Sequence, residues 1–147
     1  MRHLALTIAL VVAVSGCEQV ASSSNGDLDC MDVAEVYAAA ASLEGKKVKV
    51  CGPVLSDRHG AVLISARPDG GTLFLEFPPE HSSQAGLHDF VRAVQETWLP
   101  NKNGITYIGG EFTGMLVKGI NDDPACASCY ELQLHNVALL QVKRKGA

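Results

Sequence analysis

Hydrophobic positions divide this chain into three regimes. Residues 4–14 (LALTIALVVAV) form an apolar run broken only by Thr7. Residues 18–29 (EQVASSSNGDLD) show no apolar period and carry three consecutive serines, so they read as a flexible tether. From residue 32 onward the pattern becomes periodic. Asp32 with Glu35 three residues on has the spacing of a capping box. Val33, Val36 and Tyr37 then share a helical face, Ala38 to Ala41 propagate the turn, and Gly45 stands at the helix end.

Strand-like segments follow. Residues 46–55 (KKVKVCGPVL) alternate and then turn apolar, with Gly52-Pro53 marking a bulge or an edge. Residues 56–60 (SDRHG) predict a turn, 61–66 (AVLISA) a second strand, 67–71 (RPDGG) another turn, and 72–77 (TLFLEF) a third strand stopped by Pro78-Pro79. A helix starting at Ser83 places Leu87, Phe90, Val91, Val94 and Trp98 on one stripe, so it covers a core in which Phe90 and Trp98 are buried. Residues 105–117 form a fourth strand interrupted at Gly109-Gly110 and Gly114, where bending is cheap. A loop over 118–129 leads to a fifth strand, 130–142, with Leu132, Leu134, Val137, Leu139 and Leu140 to bury. The basic Lys143-Arg144-Lys145 tail is expected to fray.

The first regime is shorter than the roughly 20 apolar residues that a spanning helix needs. With Arg2 ahead of it and the small Ser15 and Gly16 at its end, it has the layout of an export signal. Val14-Ser15-Gly16-Cys17 resembles the lipobox of bacterial lipoproteins. That resemblance implies cleavage after residue 16, lipidation of Cys17 with palmitate-type acyl chains, and attachment of the tethered domain to a membrane of the cell envelope. Two or more acyl chains hold a protein stably where one does not. By the same resemblance Glu18, in place of an Asp, leans towards the outer membrane over the inner, with the domain facing the periplasm.

The order helix, three strands, helix, two strands fits a small closed barrel. Residues 43–52 (LEGKKVKVCG) look like the opening of OB-fold domains of the tRNA-anticodon-binding-like type, in which a strand of pattern GKxVxVxG follows a short helix. Residues 105–112 (ITYIGGEF) and the closing strand fit the fourth and fifth strands of that pattern. The resemblance implies a mainly β fold: a five-stranded OB barrel over 32–147, preceded by a tether over 17–31, with one amphipathic helix between strands 3 and 4 and a short N-terminal helix. It specifies a fold and not an activity.

Removal of residues 1–16 would leave 131 residues, one domain's length, with 11 Lys+Arg against 16 Asp+Glu. An acidic balance argues against binding a phosphate backbone, whose affinity comes from cationic side chains. Four cysteines remain past Cys17: Cys30, Cys51, Cys126 and Cys129. An even number in an exported chain predicts disulfides, and three pairings exist. Cys30 with Cys51 and Cys126 with Cys129 is the preferred one, with a crossed arrangement left open.

Cys126-Ala127-Ser128-Cys129 also has the spacing of a thiol–disulfide catalyst. Such a catalyst needs a stabilised thiolate, typically at a helix N-terminus. Here a strand pattern follows, and Asp122 and Asp123 lie upstream, so a structural disulfide is expected instead. His59, His81, His88 and His135 show no spacing that would build a metal face, and no second close cysteine pair completes a zinc site. Neither a G-x-S-x-G elbow nor a phosphate loop is present. Glu76 and Glu111 are expected to be solvated, and Phe74, Phe77 and Tyr107 to join the core.

What remains is binding. OB barrels use strands two and three with the loops after strands one and four. Those loops carry Arg58 and His59 on one side and Lys118 on the other. The expectation is a non-catalytic, lipid-anchored binding or interaction module without cofactor or metal, its partner an envelope protein or glycan. The alternatives are a thiol–disulfide oxidoreductase using Cys126 and Cys129 and, against the charge balance, a nucleic-acid-binding domain.

Overall fold

Helix α1 (Val33–Ala38) begins where the sequence places it. Asp32 caps it by accepting from the Ala34 N–H at 2.8 Å, and the Glu35 side chain accepts from the Asp32 N–H, which completes the capping box. The computed structural model describes residues 27–57, 59–78, 85–99, 104–119 and 129–146. The apolar run, the lipobox-like motif, Arg58, His81, Ser83 and Cys126 lie outside the described residues. A short α2 (Ala40–Leu43) follows α1 and ends before Gly45, whose positive φ of 73° is the left-handed turn that stops a helix.

The fold is mainly β. Its strands are β1 (Cys30–Met31), β2 (Lys47–Asp57), β3 (Gly60–Ile64), β4 (Thr72–Glu76), β5 (Ile105–Lys118) and β6 (Tyr130–Arg144), with α3 (Ala85–Trp98) between β4 and β5. Antiparallel pairings join β2 to β3, β3 to β4, β5 to β6 and β2 to β5, and a parallel pairing joins β4 to β6. The pairings therefore run from β2 through β3, β4, β6 and β5 back to β2.

The sheet has six strands where five were expected, and it is not a clean barrel. The sixth is β1, which lies outside that circuit and pairs in parallel with β2 at Lys49 and Val50. Its two residues belong to the stretch read as the end of the tether. Pro53 sits where β1 pairing has ended and β3 pairing has not begun, a gap in which its missing N–H costs little.

Strand alternation sends Val48, Val50, Val54, Leu63, Leu73, Phe112, Leu116, Leu132 and Leu134 inward. Helix α3 adds Leu87, Phe90 and Val94. Phe90 is the centre of the aromatic packing, stacked on Phe77 at 5.7 Å and edge-on to Phe112 at 5.0 Å. The helix lies so close to β6 that a side chain on Gly86 would overlap the Val137 carbonyl oxygen.

Several side chains depart from expectation. Trp98 is 42% exposed, because α3 reaches the rim at Thr97, which hydrogen-bonds Ser56 of β2 at 2.9 Å, and its last residue passes beyond the core. Leu139 is 72% exposed, not buried. The register shift between Gly109 and Glu111 makes Leu139 and Leu140 a bulge opposite Gly110, and Leu139 has a φ of 47°, a left-handed conformation costly for a leucine. The tail is not frayed: Lys143 lies over the Tyr107 ring at 5.1 Å, Arg144 pairs with Glu96 at 2.7 Å, and the Lys145 N–H donates to the Gly104 carbonyl.

Candidate functional site

The outward positions of β2, β3 and β4 carry an apolar row. Leu55 is paired with Val62, and Val62 with Phe74, so three hydrophobic side chains lie side by side across three strands. Leu55 is 60% exposed and Phe74 42% exposed, whereas their chain neighbours Val54, Leu63 and Leu73 are buried. Phe74 is thus a surface residue rather than the core residue expected. The signal was in TLFLEF itself, where Phe74 alternates in phase with Thr72 and Glu76. Leu55 likewise alternates in phase with Lys47 and Lys49. Phe77 and Tyr107 are half-buried.

This row floors an open groove of about 390 Å³, with Leu55, Ser56, Asp57, His59, Val62 and Phe74 among its lining residues. The volume falls at the low end of the range for ligand sites, about 300–1,000 Å³. His59 stands in the β2–β3 turn, exposed, with its backbone N–H donating to Asp57 Oδ1 at 2.7 Å. His59, named from the sequence as a loop residue, lines this groove, whereas the apolar row beside it was not expected. Lys118, the other loop residue named, ends β5 opposite Tyr130 and does not line the groove.

The residue that follows Phe74 across the sheet is Glu131, its partner in the parallel β4–β6 pairing. Glu76, two residues on from Phe74 along β4, faces outward and is exposed. Two smaller depressions exist: one of about 190 Å³ between Phe77 and His135, and one of about 230 Å³ between Cys51 and Leu139. Neither has an exposed apolar row as its floor.

The Cys30–Cys51 pairing is confirmed: the two residues are disulfide-bonded with Cα atoms 5.6 Å apart, within the usual span. Cys129 is also disulfide-bonded, and its partner lies outside the described residues. Cys30, Cys51 and Glu111 present ligand atoms within 4.8 Å of one another, yet the two sulfurs are committed to each other. Glu111 is not the solvated carboxylate expected. It is half-buried and lies 3.8 Å from Lys49, which also donates to Asp27. The hydrogen bond to Asp27 raises the Lys49 ammonium above its ordinary value, and the same bond lowers the Asp27 carboxyl.

Asp32 is the best-connected carboxylate among the described residues, but its partners are structural. Besides capping α1 it accepts from the Ser65 hydroxyl and from the Ala66 N–H at 2.8 Å. Burial pushes its carboxyl up, but the hydrogen bonds from Ser65, Ala66 and Ala34, with Arg67 nearby, outweigh that and hold it below its ordinary value. It ties α1 to the end of β3. Among the described histidines, His59, His88 and His135 are all exposed and none enters a three-residue metal-type cluster.

Comparison of the chain with protein-family models, with curated proteins and with solved structures finds no match. The geometry of the β2–β3–β4 face therefore has to stand by itself.

Proposed function

We propose that the protein is a lipid-anchored binding module of a bacterial envelope, held through Cys17 and presenting the outer face of an OB-type barrel to a partner in the periplasm. The observation that carries the binding reading is the Leu55–Val62–Phe74 row. Those side chains lie outside the buried core, and contiguous exposed apolar surface marks interaction sites. The barrel assignment draws on the circuit β2–β3–β4–β6–β5–β2, its parallel β4–β6 contact, and α3 between β4 and β5, which is the order expected of an OB fold.

Oxidised cysteines suit an exported chain. Glu18 after Cys17 favours the outer membrane, and an apolar floor favours an envelope protein over a glycan as the partner. Among the described residues, no specific contact supports the oxidoreductase or the nucleic-acid reading. No helix of the described residues is long and apolar enough to cross a membrane.

Two experiments test the proposal. Mass spectrometry of the mature protein should find acyl chains on Cys17, and Cys17→Ala should leave the protein unlipidated and released from membranes. A Cys17→Ala protein that stays membrane-bound with unchanged mass overturns the anchor. A photo-crosslinking residue at Val62 should trap one partner in cells, and the adduct should vanish when Leu55 and Phe74 are both changed to Ser. Loss of nothing, or the same adduct from a crosslinker at exposed Lys47, overturns the binding face.

A further inference from the structure

The rim of the groove carries a sign. Asp57 lines it, Glu131 occupies the next position of the Leu55–Val62–Phe74 row, and Glu76 lies one outward position along β4. No lysine or arginine of the described residues lines the groove. Lys118 is one residue past Val117, the β5 partner of Glu131, and so alternates away from that face. The chain as a whole carries a formal net charge of −4.

We propose that this groove receives a cationic amphipathic peptide segment of another envelope protein, its apolar side chains on Leu55, Val62 and Phe74 and its lysine or arginine side chains against Asp57, Glu76 and Glu131. The inference rests on the reading of this face as a binding surface and supplies the chemistry of the partner. The two halves of the contact do different work. Removing apolar surface from water supplies most of the affinity. Asp57 and Glu76 are exposed and Glu131 is half-buried, so each contributes little singly, but together they select by sign and raise the association rate. The same field repels the phosphates of nucleic acids and anionic headgroups, which removes the other ligands that an apolar surface on a membrane-anchored protein could take.

The test uses the full-length Cys17→Ala protein. The probe is a fluorescently labelled twelve-residue peptide alternating leucine and lysine, with the leucine–glutamate peptide of the same length as its counterpart. Three rim carboxylates that attract one peptide and repel the other should make the lysine peptide bind at least about tenfold more tightly. Raising the salt concentration should narrow the gap. Glu76→Gln with Glu131→Gln should weaken only the lysine peptide, with the melting temperature unchanged. Leu55→Ser with Phe74→Ser should abolish binding altogether.

Equal binding of the two peptides, or preference for the glutamate peptide, overturns the proposal. So does binding of phosphatidylglycerol vesicles or of a single-stranded oligonucleotide in place of the lysine peptide. Failure of both peptides while Val62 still crosslinks in cells overturns the cationic partner and leaves the binding face standing. Failure of the crosslink as well removes the face itself.

Discussion

Val62 and Leu63 are neighbours on β3, and Leu73 and Phe74 are neighbours on β4, yet the members of each pair meet opposite environments. Leu63 and Leu73 are fully buried in the core cluster that also holds Phe90 and Phe112, whereas Phe74 and the Val62 beside it lie towards water with Leu55. The residue types are the same on both faces, so hydrophobicity alone does not explain the outer one. The inner face is what the fold needs. The outer face has no partner within the described residues, and its retention of apolar side chains is the strongest sign of a task other than folding.

The contrast can be broken from the inside first. Phe112→Ala removes a buried ring at the centre of the core and should cost about 3–5 kcal/mol, read as a loss of chemical stability in a denaturant titration. Cys30→Ser with Cys51→Ser opens a link across a sequence separation of 21 and should cost about 3 kcal/mol, measured the same way. Asp32→Ala loses a helix cap and two further hydrogen bonds, for about 1–3 kcal/mol.

Asp32 also sets a pH dependence. Its carboxyl is lower in the folded protein than in the unfolded chain, so its contribution is present above about pH 4 and is lost as pH falls through the folded value. Wild type should therefore lose stability on acidification more steeply than Asp32→Ala. Smallest of all, Phe74→Ser on the outer face should change stability by no more than about 0.5 kcal/mol while removing binding. If Phe74→Ser destabilised the protein as Phe112→Ala does, the outer face would be part of the core and the contrast would collapse.

Much of the inner face was legible in the chain. The Asp32–Glu35 spacing named the first helix, the stripe from Leu87 to Val94 named the face of α3, and the order of elements after Asp32 was correct. What escaped depends on contacts between distant residues. β1 is two residues long, and only its parallel pairing with Lys49 and Val50 makes it a strand. Leu139 reads as a buried position until the bulge opposite Gly110 reverses its side. Trp98 continues the helical stripe, but the core it would join has already ended at Thr97. For the site, the turn carrying His59 was visible as a turn. Val62 was not assignable, since AVLISA is apolar on both phases, while Phe74 was assignable from its alternation with Thr72 and Glu76.

The central claim is that the outer face of β2, β3 and β4 binds a partner, and chemical-shift mapping tests it most directly. Titration of isotope-labelled full-length Cys17→Ala protein with the leucine–lysine peptide should move the signals of Leu55, Val62, Phe74 and Glu131 first and furthest, leaving those of Leu63 and Leu73 nearly in place. Shifts centred on Leu139 and Gln141, or spread evenly over the surface, would contradict the account.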